Sequence, residues 1–152
     1  MRRTLLASAI ALMALGGAAV AQNTSLPAAF ATLNLSAGFT PDPVAVNLVA
    51  GGDIDARRIG GNCVGMIANP PDVRLNYRAG SLPLFISARS NSDTTLVINL
   101  PNGQWLCNDD FQGLNPGVVL RNPPSGQYDI WVGTLGSQTA QAQLLVSELP
   151  PR

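Results

Sequence analysis

The sequence predicts an all-β fold, an antiparallel β-sandwich with a jelly-roll-like succession of short strands and one disulfide. Three observations carry that prediction. Apolar and polar residues alternate with a period of two in short runs along most of the chain. Turn signals rich in Gly, Pro and Asn recur at a spacing of roughly 8–12 residues, as in sandwiches. The composition also disfavours helices: the 152 residues include no Lys and a single Glu, Glu148. Lys and Glu are the residues on which soluble helix surfaces usually rely.

In chain order, Met1-Arg2-Arg3 supplies a basic start, and residues 5–20 are apolar or small. Ala19-Val20-Ala21 then presents small residues at a cleavage site, so residues 1–21 read as a secretory signal peptide ending before Gln22. The apolar core is short for a membrane span, and no basic stop-transfer cluster follows it. The expected mature chain has 131 residues and no transmembrane segment, and it is exported to the periplasm or the extracellular space. With Arg2 and Arg3 removed, seven Arg face nine acids, a net charge of −2. That length fits one domain with a real core.

Residues 22–43 form an N-terminal lead-in. Within it, 31–39 alternates Ala31, Leu33, Leu35, Ala37 and Phe39 against polar or small neighbours, which predicts a strand. Pro41-Asp42-Pro43 breaks the chain before the main sandwich domain, 44–150. Val44, Val46 and Leu48 open that domain and end at Gly51-Gly52. A short apolar run over 63–68 follows, then Val73, Leu75 and Tyr77 in alternation with Arg74, Asn76 and Arg78. Leu82, Leu84 and Ile86 repeat the pattern. Residues 95–100 are β-branched and apolar, and Pro101-Asn102-Gly103 turns them into 104–107. Residues 118–120, then Tyr128, Ile130 and Val132, then Leu144 and Val146 complete the strand set; 139–147 suits a helix or a strand by pattern, and its place after Gly136-Ser137 favours the strand.

Cys63 and Cys107 are the only cysteines. An even count in an exported chain reads as one disulfide. Closing a loop of roughly 45 residues is worth about 4 kcal/mol in the chain-entropy picture. A redox pair usually has C-x-x-C spacing, and two thiols alone make a poor metal site.

The same composition excludes much chemistry. Without His or Lys the chain cannot build a His general base, a Ser-His-Asp triad, a Schiff-base lysine or a P-loop lysine. The dispersed charge offers no basic patch for nucleic acid. The expectation is therefore no enzyme and no nucleic-acid partner. The most distinctive segment is Trp105 to Pro116, in which Asn108, Asp109, Asp110 and Asn115 supply hard oxygen ligands around Gly113. Together with Asp93, which opens the strand leading into this hairpin, they form a candidate Ca²⁺ loop. The alternative use of the same residues is ordinary Asx turns. Adjacent Asp109 and Asp110 cannot straddle a glycosidic bond as hydrolase acids do. Asp53 to Arg58 reads as a solvated strand with surface ion pairs. Trp131 is out of phase with Ile130 and Val132 and should face away from them, as a ligand or partner contact or packed beneath a loop.

Three segments in sequence resemble the bacterial pre-peptidase C-terminal domain. They are the Asp93-led strand through Leu100-Pro101-Asn102-Gly103, the acidic Asn108-Asp109-Asp110, and Gly126-Gln127-Tyr128-Asp129-Ile130-Trp131-Val132-Gly133 before a last strand over 142–148. The match is good over 93–148, plausible back to Val44 and absent over 22–43. The resemblance implies a secreted jelly-roll-like sandwich serving as an accessory binding module, and it singles out Asp93, Asp109 and Asp110 for calcium. No protease domain accompanies it in this sequence. The expected function is an exported non-enzymatic binding module, stabilised by Ca²⁺ through the Asp/Asn loop, with a protein or glycan surface partner. The alternative is a self-associating surface protein that uses residues 31–39 for strand addition.

Overall fold

The computed structural model describes residues 22–136 and 138–150; the expected signal peptide, 1–21, lies outside the described residues. Eleven strands are found among them: β1 (Ala31–Ser36), β2 (Val44–Ala50), β3 (Ile54–Asp55), β4 (Met66–Ile67), β5 (Val73–Arg78), β6 (Leu84–Ser90), β7 (Thr94–Asn99), β8 (Trp105–Asn108), β9 (Gly117–Leu120), β10 (Gly126–Thr134) and β11 (Ala140–Ser147). A single 3₁₀ turn, Ala56–Arg58, follows β3. No helix among the described residues is long and apolar enough to cross a membrane.

The strands form two packed sheets, a sandwich. Sheet A runs β1-β5-β10-β7-β8, with the short β4 and β3 continuing along the edge of β10 beyond β5. Sheet B runs β2-β11-β6-β9 and is antiparallel throughout. One pairing departs from the antiparallel expectation: β1 lies parallel to β5, from Ala31 opposite Val73 to Ser36 opposite Arg78. The chain between them crosses to sheet B and back, the long connection that a parallel pair requires. Strand β1 also stops at Ser36 instead of reaching Phe39. Gly38 takes a φ of +81°, which turns the chain, and its N–H donates to Glu148 Oε2 at 2.7 Å.

The alternating residues named from sequence meet between the sheets. Val73, Leu75, Tyr128, Ile130, Val132, Leu96 and Ile98 from sheet A pack on Leu48, Leu84, Ile86, Leu144 and Val146 from sheet B, all essentially inaccessible. Burying a side chain of this size is worth about 1.5–3 kcal/mol. Tyr77 also turns inward, where its hydroxyl donates to Glu148 Oε1 at 2.7 Å. Burial, then that contact, holds the phenol well above its usual range.

Sheet A has a second hydrophobic cluster on its outer side. Segment 54–67 folds over this face and buries Trp131 and Val97 with Ala56, Cys63 and Ile67. Strand β4 approaches so closely that a Cβ on Gly133 would lie 2.6 Å from the Met66 carbonyl oxygen and 2.7 Å from Ile67 Cγ2. Only glycine fits there. The Cys63–Cys107 disulfide (Cα–Cα 5.0 Å) ties this flap to β8.

Candidate functional site

The residues named from sequence as calcium ligands occupy the loop between β8 and β9 and the start of β7. Asn108 Oδ1 accepts the Gly117 N–H at 2.8 Å, and Asn115 Oδ1 accepts the Ser90 N–H at 2.9 Å. Both carboxamides therefore pin the loop to sheet B through non-local bonds, 9 and 25 residues apart in sequence, which are not Asx turns. Asp110 is exposed and Asp109 half-buried, while Asp93 has one carboxylate oxygen, Oδ1, buried without a partner. No group of three or more acidic, His or Cys side chains among the described residues is arranged to hold a metal ion. A Ca²⁺ ion takes six to eight oxygens. Each asparagine oxygen already accepts one backbone N–H, and the second lone pair of each is left over.

Trp131 does face away from Ile130 and Val132, yet it is fully buried. It lies under segment 54–67, its ring 5.5 Å from that of Trp105. As a surface contact for a ligand it is corrected by this packing: the outward face of β10 is roofed by the flap. The Asp53 to Arg58 cluster is not a solvated strand but a strand end and a 3₁₀ turn. Arg57 chelates the Asp55 carboxylate (2.7 Å for Nη2 to Oδ2), which lowers the carboxyl's pKa.

The remaining charged groups of sheet A also serve the fold. Arg74 Nε donates to Asp129 Oδ1 at 2.7 Å across the β5–β10 register, and Gln127 Nε2 donates to the other oxygen, Oδ2. The far side of the guanidinium donates to the carbonyls of Thr24 (2.6 Å) and Leu26 (3.0 Å), so segment 22–30 is strapped over the sheet. Asp72 fills the gap where β10 leaves β5 and has not yet met β4. Its Oδ2 accepts the Val132 N–H at 2.7 Å, a backbone donor with no strand partner at that point. Burial pushes this carboxyl up to about 7, against the lowering effect of that hydrogen bond.

Sheet B is different on its outer side. Strands β6 and β11 alternate, so Phe85, Ser87 and Arg89 share the outer face with Gln141, Gln143 and Ser147, while Leu145 in the same phase is buried. Two adjoining cavities lie along this face. One, about 330 Å³, is lined by Asp42, Pro43, Phe85, Leu145, Leu149 and Pro150 among others. The second, about 680 Å³, has nine lining residues, of which six are carboxamides: Asn47, Asn91, Gln112, Asn115, Gln141 and Gln143. Arg89 lines both, which makes them one groove. From Gln141 to Ser147 the face runs for about 20 Å at strand rise. The amides come from β2, β11, the turn after β6 and the loop before β9, so only strand pairing brings them together. Gln143 Nε2 donates to Asn47 Oδ1 at 2.9 Å, which fixes both carboxamides and leaves a donor and an acceptor of the pair for another group. Sequence reasoning missed this surface. Its one signal is the polar phase of the last strand, Gln141 and Gln143 against Ala142 and Leu144.

No family model and no curated protein sequence matches the chain. Its backbone is similar to the pre-peptidase C-terminal domain of a collagenase from Bacillus anthracis, with 11 % identity and a TM-score of 0.48, covering 82 % of this chain and 100 % of that one. It is also similar to a periplasmic inhibitor of g-type lysozyme from Aeromonas hydrophila, with 14 % identity and a TM-score of 0.43, covering 76 % and 96 % respectively.

Proposed function

We propose that the chain is an exported, non-catalytic binding module that holds an extended polyhydroxyl partner along the outer face of sheet B. The observation that carries this reading is the face itself, a shallow, open surface about 20 Å long at strand rise in which carboxamides gather from four segments. A carboxamide presents both a donor and an acceptor, which complements hydroxyl groups that also do both. Elsewhere the polar groups described above are engaged by the fold: Arg74 with Asp129, Tyr77 with Glu148, Asp72 with Val132. Export is supported by the signal-like segment 1–21 and by the disulfide, a bond that persists in oxidising compartments.

Affinity electrophoresis in gels containing soluble polysaccharides tests the reading. The purified protein should be retarded by at least one polysaccharide, and Ser87→Trp should remove the retardation. Ser87 faces outward on the groove floor, so a bulky side chain there fills the groove and leaves the core untouched. Retardation that survives Ser87→Trp, or none on any polysaccharide, contradicts it.

A further inference from the structure

We propose that the chain self-associates as a two-fold dimer in which β1 pairs antiparallel with β1 of a second copy, centred on Asn34. This surface belongs to sheet A and is independent of the amide groove on sheet B. The open edge is the first argument. Strand β1 ends its sheet, and among the described residues it pairs with β5 alone. The Ala37 N–H donates to the Arg78 carbonyl, so in the same phase Leu35 and Leu33 turn their backbone groups to β5. The alternate residues Thr32, Asn34 and Ser36 turn theirs outward, ready to pair with another strand. Such edges are usually blunted by charge, proline or a bulge. Residues 28–40 contain no charged residue and no proline, and the β1–β5 register runs without interruption.

The second argument names the occupant. Residues 31–37 read Ala-Thr-Leu-Asn-Leu-Ser-Ala, the same in either direction apart from Thr32 against Ser36. An antiparallel pair about Asn34 therefore sets Ala31 opposite Ala37, Thr32 opposite Ser36, Leu33 opposite Leu35 and Asn34 opposite itself. A two-fold interface requires this self-complementarity, whereas an edge that takes an unrelated strand does not. In this register the outward-turned residues form the hydrogen-bonded pairs, each exchanging both N–H···O bonds. Hydroxyl pairs and apolar pairs across strands both stabilise a sheet. Leu33 and Leu35 are only half-buried at the rim of the core, and those of the second copy complete their cover. Asn34 Oδ1 accepts Asn76 Nδ2 at 2.9 Å, which leaves the Asn34 amide group to reach the carboxamide opposite. Strand β2, the edge of sheet B, is also long and uncharged. However, Pro43 stands at its entrance, and reversal sets Val44 against Ala50 and Ala45 against Val49.

Sedimentation equilibrium of the purified protein across the micromolar range tests the proposal. Pairing one edge strand makes a small interface, so a reversible monomer–dimer equilibrium is expected. Asn34→Lys and Asn34→Asp each place like charges directly opposite one another, and each should weaken the dimer about fivefold. Mixing the two variants should restore it, because residue 34 then faces the opposite charge. Val49→Lys, on the exposed side of β2, should leave the dimer unchanged. Hydrogen exchange supplies a second reading: the amides of Thr32, Asn34 and Ser36 should slow as protein concentration rises. A monomer at every concentration overturns the proposal, and so does a dimer indifferent to Asn34→Lys or lost in Val49→Lys. Weakening in both single variants without recovery in the mixture overturns the two-fold register, as does growth into assemblies larger than a dimer.

Discussion

The outer faces of the two sheets have been put to opposite uses. On sheet A the face is closed over β7 and the second half of β10, where segment 22–30 is strapped down by Arg74 and segment 54–67 roofs Trp131 and is locked by the disulfide. It stays open only at the β1–β5 end around Asn34, Asn76 and Gln127. The central strands β7 and β10 are consequently buried on both sides, with burial running through Thr94–Ile98 and Tyr128–Thr134. On sheet B the face is open, and β6 and β11 keep much of the strict alternation of a half-buried strand. A face that the fold covers is stabilising and unavailable. A face left open and lined with unburied amides contributes little to stability and is where a ligand can be held.

That contrast orders the expected effects of substitution. The largest belongs to sheet A. Trp131→Ala empties the space between the flap and the sheet, and should cost about 3–5 kcal/mol in urea denaturation. A loss under about 1 kcal/mol would mean the flap is not a true second core. Next comes the disulfide: replacing both Cys63 and Cys107 with Ala should cost about 3–4 kcal/mol, since the bond closes a 44-residue separation. The same variant should leave groove binding intact, which separates stability on one face from binding on the other.

Asp72 gives a pH-dependent test of the closed face. Its carboxyl titrates near 7 in the folded chain, above the unfolded value of about 3.9. The folded state therefore holds its proton more tightly, and the stabilisation is complete below about pH 4 and lost as pH rises through about 7. Asp72→Asn keeps an acceptor for the Val132 N–H and cannot ionise. Chemical denaturation from pH 4 to 7 should lose a slope worth on the order of 3 kcal/mol in that variant. An unaltered slope would place the titrating group elsewhere.

The open face should show the smallest stability effects. Asn47→Ala with Gln143→Ala removes a hydrogen bond from a solvent-exposed pair, and should change stability by less than about 0.5 kcal/mol while weakening ligand binding. Calcium belongs at the bottom of the scale. Thermal unfolding in millimolar Ca²⁺ and in chelator tests the loop: an unchanged midpoint would reject it as a cation site, and a rise of several degrees with Ca²⁺ would assign Asp93, Asp109 and Asp110 to one.

What was legible in the sequence divides along the same line. Period-two alternation exposed the strands of both sheets, including Val73–Leu75–Tyr77 and Leu144–Val146, because burial of one face is written into every second residue. The disulfide followed from cysteine count alone. Trp131 was legible as outward-facing, but whether a loop covers it depends on segment 54–67, whose two-residue strands β3 and β4 carry too few residues to show a period. The acidic loop is ambiguous in sequence because Asn and Asp oxygens serve a cation or a backbone N–H equally well. The groove was hidden for a different reason. Asn47, Arg89 and Gln143 are far apart in sequence and become neighbours only when β2, β11 and β6 pair in register.

The most direct measurement is a two-dimensional NMR titration that follows side-chain amide and indole resonances as an oligosaccharide of the polysaccharide that retards the protein is added. Shifts are expected only on sheet B and its rim, at Asn47, Gln141 and Gln143, while Asn76, Gln127 and the Trp105 indole stay still. Shifts at Asn76, Gln127 and Trp105 with the sheet B amides unmoved, or no shifts anywhere, would contradict binding at sheet B.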